Sequence, residues 1–146
     1  PTEVMGTRCH QLAMFVIYDS PLCCVCDHPR NYKGQPGLEF LRIVPTVWDD
    51  TKVINGEVGK YITMARRSGE KWFIGAMTDW TGRTAQIGLD FLGEGKYTAH
   101  IFADAPDSGE NAGKLIKEER TVTAKDSLSI KMASGGGFAA HLTPAN

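Results

Sequence analysis

The sequence predicts a mainly β chain: an antiparallel β-sandwich, with a barrel as the alternative, over residues 46–146, preceded over residues 1–45 by a helix-strand-helix piece of a larger α/β fold. Three observations lead there. From residue 46 onward apolar residues recur with period two, with turn residues about every 8–12 positions. Before it the pattern is one helical stripe, one short wholly apolar run and a second short helical stretch. Composition divides at the same place. All four cysteines lie in the first 26 residues and five of the seven prolines in the first 45, whereas all three tryptophans and thirteen of the sixteen glycines come later.

Residues 6–19 read as a helix that Thr7 can cap, with Cys9, Leu12, Ala13, Val16 and Ile17 as its apolar stripe. Met14, Phe15 and Tyr18 are apolar too, so the second half of this helix is expected to be covered on more than one side. Ser20-Pro21 stops it. Residues 22–26, apolar at every position, read as a strand buried on both faces, the pattern of parallel sheets and barrels. A polar loop, Asp27-His28-Pro29, follows, and residues 37–44 read as a short second helix ending at Pro45. One parallel strand with two helices cannot bury itself, so this segment is expected to be the last unit of a larger fold.

The β-domain begins with a hairpin, residues 61–65 and 71–77 around the Ser68-Gly69 turn. Residues 84–91 set Ile87, Leu89 and Phe91 on one face, and Tyr97, Ala99 and Ile101 line the next strand. Residues 114–123 read as a charged strand that faces solvent on one side; Leu128, Ile130 and Met132 alternate with Ser129 and Lys131; and Phe138, Ala140 and Leu142 close the pattern.

Composition bounds the function. With 42% hydrophobic and 23% charged residues the chain is globular rather than disordered. A net charge of −1 gives no electrostatic footprint for nucleic acid or an anionic membrane. The longest apolar run, Leu12 to Tyr18, is far short of the roughly 20 residues that span a bilayer. No charged and apolar leader with a cleavage site opens these residues, although a longer parent chain can carry one.

Chemically the chain lacks a Gly-x-Ser-x-Gly elbow, a His-Glu-x-x-His pair and a phosphate loop. Ser134-Gly135-Gly136-Gly137 leads into a strand, so it reads as a tight turn rather than a phosphate cradle. Cys23, Cys24 and Cys26 lack the spacing of a zinc site and read as core. Asp104, Asp107, Glu110 and Asn111 offer oxygen ligands in one loop, but without the spacing of a calcium-binding helix-loop-helix, and the loop reads as solvated. Trp72 reads as core, whereas Trp80, in a turn, is the candidate for sugar stacking. Asp27, His28, Asn31 and Tyr32 follow the buried strand at its C-terminal end, where α/β folds place their sites; hydrogen bonding within the loop is the competing role. His10, His100 and His141 stand singly on their elements and read as structural or surface groups.

At this point an ordered set of motifs resembles glycoside hydrolase family 97. Gly6-Thr-Arg-Cys-His-Gln-Leu-Ala-Met, Tyr18-Asp-Ser-Pro-Leu and Asp27-His-Pro-Arg-Asn-Tyr resemble the end of its catalytic barrel, and Val44-Pro-Thr-Val-Trp-Asp-Asp-Thr-Lys its junction into the C-terminal domain. Gly59-Lys-Tyr-Ile-Thr-Met-Ala-Arg-Arg, Trp72-Phe-Ile-Gly-Ala-Met-Thr-Asp-Trp, Phe91-Leu-Gly-Glu-Gly-Lys-Tyr and Gly135-Gly-Gly-Phe-Ala resemble that domain. The resemblance implies that residues 1–45 are the remnant of a (β/α)₈ barrel and residues 46–146 the C-terminal β-domain. It also implies a parent that is an exo-acting α-glucosidase or α-galactosidase, needs Ca²⁺ and works in the periplasm. Its chemistry needs two carboxyl functions around the glycosidic bond. The family's catalytic and calcium-binding glutamates lie upstream, and neither Glu3 nor Glu39 matches such a motif. What carries over is position alone: Asp27, Asn31 and Tyr32 at the rim of the eighth barrel strand. The expectation is therefore a C-terminal fragment, inactive alone, whose partners are the rest of the barrel and other copies of itself, drawn together by a bare barrel remnant. The alternative is a carbohydrate-binding module that uses Trp80.

Overall fold

A six-stranded antiparallel sheet covered on both faces organises residues 5–145, the part of the chain that the computed structural model describes. In chain order the elements are α1 (Arg8–Ile17), α2 (Pro29–Tyr32), α3 (Leu38–Leu41), β1 (Asp50–Glu57), β2 (Tyr61–Ser68), β3 (Lys71–Thr78), β4 (Arg83–Gly88), β5 (Tyr97–Asp104), β6 (Leu115–Val122), β7 (Ser127–Met132) and β8 (Gly137–Pro144). The large sheet runs β1-β2-β3-β8-β5-β6, and β4 pairs with β7 as a separate two-stranded sheet. Every pairing is antiparallel. Glu3 lies outside the described residues.

One face of the large sheet meets the β4-β7 pair. Trp72, Ile74, Ala99, Ile101, Phe138 and Leu142 interlock there with Ile87, Leu128, Ile130 and Met132. This is the expected sandwich, and β4 and β7, covered on one face only, alternate as one-sided strands do. The other face meets helices. Leu12 and Val16 of α1 and Phe40 of α3 pack on Phe73, Phe102 and Ala139, while Ala13 and Ile17 pack on Met64. The central strands β3, β8 and β5 are buried on both sides, and β3 consequently carries five consecutive buried residues from Trp72 to Ala76.

Helix α1 forms where the stripe predicts. The Thr7 side chain accepts a hydrogen bond from the His10 amide at 3.1 Å, and the five buried residues are Cys9, Leu12, Ala13, Val16 and Ile17. Its approach to β3 depends on Gly75, where a Cβ would come within 2.9 Å of both the Ala13 carbonyl oxygen and the Val16 Cβ. The side of α1 turned from the sheet is not covered: Met14 and Phe15 are half-buried and Tyr18 is exposed, which corrects the expectation of burial on several sides.

Two further expectations are corrected. Leu22 to Cys26 is extended but pairs with no strand among the described residues, and Leu22, Cys24, Val25 and Cys26 are exposed with Cys23 half-buried. A strand meant for two buried faces needs neighbours on either side, and none reaches it here. Only Cys9 of the four cysteines belongs to the core. Strand β1 was not anticipated: its sequence is mostly polar, it has neighbours on one edge only, and its pairing with β2 shifts register between Val53 and Asn55.

Phe40 lies edge-on to Phe73 and Phe102, with ring centroids 6.2 and 5.6 Å away. Phe40→Ala is expected to cost about 3–5 kcal/mol in urea unfolding, by lost burial and an unfilled cavity. Val53→Ala, at a position 64% exposed, is expected to cost less than about 0.5 kcal/mol.

Candidate functional site

The barrel-rim candidates converge. Asp27 Oδ1 accepts the His28 amide at 2.6 Å and the Asn31 side-chain amide at 2.7 Å. The Tyr32 hydroxyl donates to the Cys26 carbonyl at 2.8 Å. Just inside this knot, His28 Nδ1 accepts the Arg30 amide at 3.2 Å and caps α2. Pro29 starts α2 because its fixed φ suits a first helical turn. Desolvation, followed by the negative charge of Asp27, raises the Tyr32 phenol above its ordinary pKa, so it stays a neutral donor. The cluster thus presents a carboxylate, an amide and a phenol on one exposed turn.

Trp80 sits at the far end of the β-domain in the β3–β4 turn and is 67% exposed. The turn is held firmly. The Thr81 amide donates to Asp79 Oδ1 at 2.8 Å, the Ser134 hydroxyl donates to the Trp80 carbonyl at 2.6 Å, and Arg83 donates to both Asp79 and the Thr81 carbonyl. The Arg83 hydrogen bond, and after it the Thr81 amide, holds the Asp79 carboxyl down at about 2. The indole lies against Gly135, whose φ of +61° and missing side chain are both needed: a Cβ there would stand 2.7 Å from the ring. Arg83 also lies over the Tyr61 ring, 5.4 Å from its centroid, at the floor of an open groove of about 420 Å³ lined by Asn55, Gln86 and Met132.

Asp104 is not a solvated loop residue. It is buried at the end of β5, and its Oδ2 accepts the amides of Ala133 at 2.9 Å and Gly137 at 3.0 Å. A Cβ on Gly136 would fall 2.1 Å from that oxygen, so this glycine marks a close approach of backbone to a carboxylate. Burial, and then the charge of Asp104, pushes the Cys9 thiol far above its ordinary pKa. Asp107 pairs instead with Lys114. Among the described residues no three His, Cys, Asp or Glu side chains come together as a group that could hold a metal ion.

His100 and His141 are not solitary. They face each other across β5 and β8, with rings stacked at 4.6 Å and 23°, and His100 Nδ1 lies 3.3 Å from Glu119 on β6. Strand register makes this pair, and one sequence read strand by strand holds no signal for it. Burial, aided by His100 and Lys71, lowers His141 from its ordinary 6.5 to about 4. Between pH 6.5 and 4 the unfolded chain therefore takes a proton that the folded chain refuses. Stability is expected to fall by about 1–2 kcal/mol as pH drops through that window, allowing for the ring's remaining contact with water. Urea unfolding at several pH values reads this, and His141→Phe is expected to flatten that part of the slope.

Residues 47–143 match the family described as glycosyl-hydrolase 97 C-terminal, oligomerisation. The chain is 42% identical over 136 residues, 92% of its length, to a retaining alpha-galactosidase of Bacteroides thetaiotaomicron. It is 34% identical over 131 residues, 89% of its length, to a probable retaining alpha-galactosidase of Streptomyces bingchenggensis. It spans about a fifth of either relative, 20% in each case. Among solved structures, a glycoside hydrolase family 97 enzyme from Pseudoalteromonas sp. strain K8, in complex with acarbose, superposes with a TM-score of 0.92 at 37% identity, covering 97% of this chain and 23% of that one. The sandwich, the helical layer on its outer face and these matches together make the chain a member of glycoside hydrolase family 97 that contains the family's C-terminal oligomerisation domain.

Proposed function

We propose that the chain is the C-terminal end of an exo-acting α-glycosidase, of the α-galactosidase or α-glucosidase type, whose β-domain is a structural and self-associating accessory. One observation carries this: Leu22 to Cys26, apolar, extended and unpaired, runs straight into the Asp27, Asn31 and Tyr32 cluster. Such a segment makes sense as one stave of a parallel barrel whose other staves lie in the remaining length of the relatives. Completing the barrel would cover Leu22 and Val25 and leave the three polar groups at the rim, where the α-linked glucoside or galactoside enters. The catalytic carboxyls and the calcium ligands then belong to the upstream part, and the periplasm is the parent's proposed compartment. Helix α1, packed on the large sheet, is the strut that ties barrel to β-domain.

A second reading is sugar contact by the β-domain, favoured by the exposed and rigidly held Trp80 indole. The two readings separate by assay. Alone, with Ca²⁺ and p-nitrophenyl α-galactoside or α-glucoside, the chain is expected to show no turnover; appreciable turnover overturns the first reading. In the full-length parent, Asp27→Ala or Tyr32→Phe is expected to raise KM roughly fivefold, the worth of one hydrogen bond of about 1 kcal/mol. Calorimetric titration with maltooligosaccharides decides the second reading, which stands only if millimolar or tighter binding disappears in Trp80→Ala.

A further inference from the structure

Val58, Met5 and Trp80 are among the most exposed large apolar side chains, at 104%, 77% and 67%. They belong to segments that backbone hydrogen bonds bring together at one end of the sandwich. The Asp79 amide donates to the Lys60 carbonyl at 2.7 Å, the Gly135 amide to the Asp79 carbonyl at 2.8 Å, and the Thr7 amide to the Gly135 carbonyl at 3.0 Å. The β1–β2 turn, the β3–β4 turn, the β7–β8 turn and the lead into α1 therefore lie side by side. Trp80 stands among them on a rigid mount, its turn fixed by Asp79, Arg83 and Ser134 and its ring seated on Gly135. A pre-ordered, exposed tryptophan is the type of residue that anchors protein interfaces, because little entropy is lost when it is buried.

We infer that this end is where a second copy of the chain docks, with Trp80 as the central anchor; the inference rests on the self-associating role proposed above and gives it a surface. Val58 and Trp80 fall within residues 47–143, the span matched by the oligomerisation family. The charges around the patch also suit a copy of itself. An isologous contact must complement itself, and here each sign is present beside its opposite, as Glu57 with Lys60 and Asp79 with Arg83. Two-fold docking can exchange these partners between copies. The edges of the large sheet suit pairing less well: β6 carries Lys117, Glu118, Glu119 and Arg120 in a row, and β1 is irregular after Val53.

Sedimentation equilibrium over a concentration series tests this, on the wild-type chain, Trp80→Ala, Val58→Asp and a Leu22→Asp/Val25→Asp double variant. The expected result is reversible self-association that Trp80→Ala and Val58→Asp each weaken at least about tenfold, with far-ultraviolet circular dichroism unchanged because both sites are on the surface. A wild-type chain that stays monomeric throughout overturns both the accessory role and this surface. Association that survives Trp80→Ala, Val58→Asp and the double variant leaves the accessory role of the β-domain standing and overturns the surface; association lost only in the double variant runs through the bare segment of Leu22 to Cys26 and overturns both. Intact assembly of Trp80→Ala together with lost maltotriose binding also overturns it and assigns the indole to sugar.

Discussion

The architecture rests on one constraint: strands β3, β8 and β5 carry large apolar side chains on one face and Phe73, Phe102 and Ala139 on the other, so the sheet they form must be covered twice. The β4-β7 pair supplies one cover and α1 with α3 supplies the other. The helix is therefore no loose appendage, even though its sequence reads as part of a different fold. Its stripe and the outer face of the sheet are a single buried surface. Gly75 sets the distance between them, because any side chain there would strike the helix backbone.

A second, smaller constraint fixes the ends of the sandwich. Asp104 gives one carboxylate oxygen to two backbone amides of the β7–β8 turn, and that turn in turn carries the indole of Trp80 and accepts the Thr7 amide at the start of α1. One buried carboxyl group thus positions a turn, an exposed indole and a helix start. Gly136 is the spatial cost of bringing a carboxylate that close to backbone, whereas Gly135 makes room for the Trp80 ring and Gly137 for the backbone of Ala76 and His10.

How much of this was legible follows from how local each feature is. The stripe of α1, the hairpin of β2 and β3 and the alternation of β7 are properties of neighbouring residues, and the sequence displays them directly. Burial of Trp72 and exposure of Trp80 could be read because one lies in an apolar alternation and the other among turn residues. Strand β1 was hidden because a polar edge strand gives little period-two contrast. The stacking of His100 on His141 and the burial of Asp104 depend on register between distant strands, which no single stretch of sequence encodes. The residues around Cys23 show the opposite difficulty. Their pattern is that of an interior strand, and among the described residues no strand pairs with them. The hydrogen-bonded turn of Asp27 and Asn31 was legible as an Asx-type loop.

The unpaired segment has a chemical side as well as a packing one. Cys9 is sealed in the core beside Asp104, its thiol held protonated and out of reach of oxidants. Cys24 and Cys26 stand in water with Cys23 half-sheltered between Ser20 and its neighbours. Thiols so placed are open to oxidation and to cross-linking between molecules wherever the surroundings are oxidising. In the parent proposed above, the barrel closing over Leu22 to Cys26 would act as a redox shield too, so that losing this cover would invite covalent aggregation as well as wetting.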